Sequence, residues 1–96
     1  MNKKTILQLA PYVLKRMEYN IEAFYLLNLN NDEIWVGNYA TYLIISRIDG
    51  KKSINEIINE VKDIMNDFSY NEIFNAIENI LHELIENGFL IKNNCT

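Results

Sequence analysis

EIWVGNYATYLIISRIDGKKSINEII, residues 33 to 58, contains a change of hydrophobic period, and that change decides how the chain is read. Through EIWVG the pattern alternates: Glu33 and Trp35 are expected to face outward, Ile34 and Val36 inward, as in a strand covered on one face. From Asn38 onward the spacing becomes helical. Asn38 is placed to cap a helix that turns Ala40, Leu43, Ile44 and Ile48 toward the interior. Asp49-Gly50 is expected to stop it, because glycine readily takes the left-handed conformation at helix ends. Ser53-Ile54-Asn55-Glu56 reads as a capping box, in which the serine accepts from the third helical amide and the glutamate reaches back. The helix it opens should bury Ile54, Ile57, Ile58, Val61, Ile64 and Met65.

From Val13 to Val36 the chain is rich in aromatic and β-branched residues, and VLKRME and AFYLLNL read as its first two strands, separated by Asn20 and ended by Asn30-Asn31-Asp32. With connections this short, the three strands are expected to form an antiparallel meander. Downstream, Ser69-Tyr70-Asn71-Glu72 is a second capping box, opening a third helix that ends near Asn87-Gly88. Phe89-Leu90-Ile91 looks like a short terminal strand or wing. No linker, repeat or low-complexity tract divides the chain, so residues 1–96 are expected to form one domain.

The third helix carries a broad apolar stripe. At about 100° per residue, with Ile73 as zero, Ile80, Ile73, Leu84, Ile77, Leu81, Phe74 and Ile85 spread from about −20° to about +120°. A stripe of a hundred degrees or somewhat more suffices to pack on a core. Ile80, Ile73, Leu84 and Ile77 would do so. The edge formed by Leu81, Phe74 and Ile85, bordered by Glu78 and His82, is then either free for a visiting group or covered by a neighbouring strand.

Composition narrows the classes of function. The chain has 96 residues, 49% of them hydrophobic, with 13 acidic against nine basic side chains and a net charge of −4. That balance disfavours tracking of nucleic-acid phosphates, which rests on Lys and Arg. Cys95 is the single cysteine, so neither an internal disulfide nor a thiolate metal cluster is expected. MNKKTILQLAPYVLKRM lacks an uninterrupted apolar run and a small-residue cleavage site, and no segment approaches the roughly 18 apolar residues of a membrane span. A soluble cytoplasmic protein without a cofactor is expected.

In their order and spacing, EIWVGN running into a helix, ATYLIISRIDGKKSINEII and IENILHELIENGFL resemble the PqqD-like family, the RiPP recognition elements of peptide natural-product biosynthesis. The resemblance covers about residues 11 to 92. It implies an α+β fold of winged helix-turn-helix type: an N-terminal three-stranded antiparallel sheet, three helices and a short C-terminal wing. One departure is Gly37, where the family usually has a large apolar residue. The resemblance further implies a non-catalytic peptide chaperone. Such a domain binds the leader region of a ribosomally synthesised precursor peptide and presents it to a modifying enzyme (radical SAM, cyclodehydratase or leader peptidase). Leader peptide binding in that family adds a strand to an exposed sheet edge beside the third helix. Carried onto this chain, the peptide-binding residues are Glu33, Ile34, Trp35 and Val36 on the edge and Phe74, Glu78, Leu81 and Ile85 on the helix. Trp35, read as exposed, is the leading anchor. Glu78 and His82 would read a polar or basic group on the leader.

Three other functions compete. A winged-helix DNA-binding regulator would need cations on its recognition helix, whereas no Lys or Arg lies between Lys62 and Lys92 and the third helix carries Glu72, Glu78, Glu83 and Glu86. An enzyme would need more than one histidine beside acids; Glu78 and His82 give only two potential metal ligands. A generic protein-interaction module, in which the open edge pairs with itself, fits the same strand pattern.

Overall fold

The strands and helices expected between residues 13 and 86 all form, and an additional strand ahead of them alters how the chain closes. The computed structural model describes residues 1–21 and 23–93. Cys95 lies outside them. A three-residue strand β1 (Leu7–Leu9) is followed by β2 (Val13–Glu18), β3 (Ala23–Asn28) and β4 (Ile34–Gly37). The helices α1 (Tyr39–Ile45), α2 (Ile54–Ile64) and α3 (Tyr70–Glu86) come next, and β5 (Leu90–Lys92) ends the fold.

β2, β3 and β4 form an antiparallel sheet in that order, so β2 and β4 are its edges. The terminal segment does not stand alone: β5 pairs antiparallel with β1, Leu9 opposite Leu90 and Leu7 opposite Lys92. Leu7-Gln8-Leu9 does alternate, but its partner lies at the far end of the sequence, where no local signal reaches. The tight turn into β4 puts Asp32 at φ 59°, a left-handed conformation that Asp tolerates better than most residues. Asn31 Oδ1 accepts from the Glu33 amide at 3.0 Å and closes that turn.

Both capping boxes are present, with reciprocal bonds between Ser53 and Glu56 and between Ser69 and Glu72. At α2 the remaining free amides are met from a distance. Ile54 N donates to Thr5 O and Asn55 N to Lys3 O, each at 2.9 Å. The amino-terminal arm thus completes the helix start, where unpaired N–H groups would otherwise be left. Gly88, at φ 82°, ends α3 in the expected way.

α1 is shorter than the sequence implies. It stops at Ile45, and Asp49-Gly50 serves a different turn, correcting the expected stop. Arg47 N and Ile48 N bond three residues back, tightening the chain before Gly50 is reached. Gly50 does adopt a positive φ of 77°, donating its amide to Leu7 O, and Asp49 Oδ1 accepts from Lys51 and Lys52. Those two amides hold the Asp49 carboxyl below the usual carboxylate range.

The core lies between the inner sheet face, through Phe24 and Leu26, and the helices, through Ile45, Ile57, Val61, Ile77 and Leu84. Ile64, expected in that core, is exposed near the end of α2. No helix among the described residues is long and apolar enough to cross a membrane.

Candidate functional site: an open sheet edge and an apolar crevice

The site is built on β4. Its register with β3 places Trp35 opposite Leu26 and Val36 opposite Tyr25. Asn28 N donates to Glu33 O at 2.9 Å, making Asn28 and Glu33 a hydrogen-bonded pair. Such pairs alternate along an antiparallel ladder. Trp35 and Gly37 therefore bond to β3, whereas the backbone groups of Ile34 and Val36 point away from it, along the sheet's outer edge. Among the described residues no strand occupies that edge. Two successive sets of amide and carbonyl groups stand ready to pair with an added strand.

The faces of β4 are the reverse of those expected from alternation. Ile34 and Val36 are 63% and 57% exposed on the outer sheet surface. Trp35 is half-buried and packs against the core. The reason lies two residues on. A Cβ built on Gly37 would fall 2.5 Å from the Trp35 ring and closer still to Thr41 Oγ1. The indole occupies the space that a side chain at position 37 would fill, so the bulk sits one pleat earlier on the same face. Trp35 is thus a wall of the interior corner, not an outward anchor.

On α3, the Phe74 flank is not open. The amino-terminal arm lies on it: the Met1 ammonium bonds Glu78, and Lys3 Nζ stands 4.8 Å from the Tyr70 ring centre and 5.3 Å from that of Phe74. Tyr70 and Phe74 stack at 6.5 Å beneath it. The bond from the Met1 ammonium holds the Glu78 carboxyl below its ordinary range, assisted by the ammonium's charge and by His82. Leu81, expected to border the groove, is 1% exposed and belongs to the core. Ile85 is half-buried and packed against that core. The structure therefore does not gather Phe74, Glu78, Leu81 and Ile85 into one exposed groove wall. The neighbour that covers Phe74 and Glu78 is the arm, which the sequence pattern could not position.

The opposite flank of α3 is the one that faces α1. Thr41, Ile44 and Ile45 of α1 pack against Ile77, Ile80 and Leu81 in a seam that leaves no room for a water-sized group. It continues through Ile44 and Ile77 into a cavity of about 160 Å³ at the start of α3. Thr41 also reaches the Gly37 corner, so this seam begins where β4 ends. On α3 the seam and cavity are lined by Glu72, Ile73, Ala76, Ile77, Ile80 and Leu81, and not by Phe74 or Ile85. Ala76 was missed because a single exposed alanine gives no periodic signal. No family model, curated protein or solved structure matches this chain.

Proposed function

We propose that this protein is a non-catalytic peptide-recognition domain of the PqqD-like type, which captures the leader region of a ribosomally made precursor peptide and presents it to a modifying enzyme in the cytoplasm. The observation that carries the reading is the unpaired edge of β4, where Ile34 and Val36 offer their backbone groups outward. Strand addition needs that edge and little else from the backbone, and side-chain pockets beside it supply selectivity. The winged helix-turn-helix assignment belongs to the same proposal, with α2 and α3 as the helix pair and the β1–β5 ribbon as the wing.

The departure at Gly37 is compatible with this reading, because Trp35 fills the vacated space. The helix wall is revised: the guest strand runs beside α1 and the Ala76–Ile80 flank of α3. An unstructured leader loses about 2–5 kcal/mol in ordering, so a micromolar dissociation constant, near −8 kcal/mol, is expected.

The test is an amide-shift titration of labelled protein with leader peptides from precursors encoded beside its gene. Shifts at Ile34 and Val36 that saturate at micromolar peptide are expected. Saturable binding that leaves β4 untouched would overturn strand addition. The rival in which β4 pairs with a second copy draws on the exposed Ile34 and Val36 side chains, and concentration-dependent sedimentation without peptide separates it.

A further inference from the structure

A cavity of about 160 Å³, half open to solvent and lined almost wholly by apolar residues, lies at the meeting of the three helices. Ala40 and Ile44 of α1 form one side, and Met65 and Phe68, just beyond α2, form another. Ile73 and Ala76 of α3 complete it, and Phe68 and Ala76 are themselves exposed. An apolar cavity of about 150 Å³ is large enough for a benzene-sized group. Its size therefore matches one aromatic ring or one large aliphatic side chain.

The electrostatics select further. Glu72 is the one charged residue in the lining. One of its oxygens accepts from the Ser69 amide at 3.1 Å, but the negative charge remains. Asp63 and Asp67 adjoin the lining residues Met65 and Phe68 in sequence, against the single cation Lys62, and no Lys or Arg occurs between Lys62 and Lys92. A cation arriving beside the apolar group meets attraction, and an anion meets repulsion.

We infer that this cavity takes one aromatic or large aliphatic side chain of the guest peptide, with a neighbouring Lys or Arg of that peptide lying against Glu72. This deepens the strand-addition reading and rests on it. A basic peptide with an apolar anchor is the preferred guest, and an acidic one is rejected.

Two sets of probes separate this inference from the reading beneath it. Protonated phenethylamine and 3-phenylpropanoate share a ring and differ in charge. With methyl-labelled protein, the amine should shift Ile44, Ile73 and Ala76 at about tenfold lower concentration than the acid. The second set is a six-residue strand-forming peptide with a central Lys-Phe pair, compared with its Glu-Phe and Lys-Ala counterparts. Replacing Phe by Ala should weaken binding about ten- to hundredfold, and replacing Lys by Glu about tenfold. Glu72→Gln keeps a capping side chain and should abolish only the charge preference. Phe68→Ala, at an exposed position beyond α2, should open the cavity and reduce the ring preference while the Lys-Ala peptide still shifts Ile34 and Val36. If all three peptides bind β4 equally and the amine spares Ala76, the inference fails and strand addition stands. If the amine occupies the cavity but no peptide shifts Ile34 or Val36, strand addition fails and takes the proposed guest with it.

Discussion

At residue scale, Gly37 has little freedom to change. Its hydrogen is all that fits between the Trp35 ring and Thr41, whose hydroxyl is fixed by donating to Asn38 O at 2.7 Å. Gly37→Ala should cost about 1–3 kcal/mol, as overpacking does. Urea unfolding in a Trp35→Ala background should show that cost reduced by at least about 0.5 kcal/mol, the coupling expected of neighbours that share a space. Ser69 offers a second, plainer test. Ser69→Ala removes the side chain that accepts from Glu72 N at 3.2 Å. About 1 kcal/mol of stability should be lost, a fall in Tm of roughly 4–8 °C for a domain of this size. The capping residues were legible in the sequence because each acts within a few positions of itself. The orientation of Trp35 was not, because Ile34 and Val36 are equally good residues for the buried side of a strand. Only the missing side chain at Gly37 decides between them.

Elements make different predictions from single residues. Val36→Pro removes an N–H directed along the free edge, while Val36 makes no hydrogen-bonded pair with β3. Guest-peptide affinity should fall at least tenfold, with the far-ultraviolet circular dichroism of the helices retained. The amino-terminal arm answers to pH instead. Because Glu78 titrates below its unfolded value, the contact with Met1 contributes fully above the ordinary carboxylate range. It is lost as pH falls through the lowered folded value. Acidification should therefore release residues 1–3 from Tyr70 and Phe74 before the helices melt, seen as sharpening of the arm's amide resonances. Glu78→Gln should show the released arm at neutral pH. Sequence periodicity found α3's apolar stripe but set the buried Leu81 on its free edge, and it could not say which flank the arm would cover. That depends on Lys3 O and Thr5 O meeting the start of α2, a contact made across about fifty positions of chain.

Across the whole molecule, the sequence conveyed the order of strands and helices from Val13 to Glu86 and left the closure of the chain unread. The β2–β3–β4 ladder and the helix caps are held by neighbours near in sequence, whereas β1 depends on distant partners, Gly50 at Leu7 and its pairing with β5. That pairing has a kinetic consequence. Leu9 and Leu90 are separated by about eighty positions, four doublings beyond a hairpin of about five, so closing the loop costs about 2 kcal/mol more entropy. The β2–β3–β4 meander and the capped helices should form first, and the ribbon of Gln8 and Ile91 should zip last. Pulsed hydrogen exchange during refolding should find the β1 and β5 amides gaining protection after those of β3 and α3. The two ends of the fold act as a clasp fastened once the rest is in place.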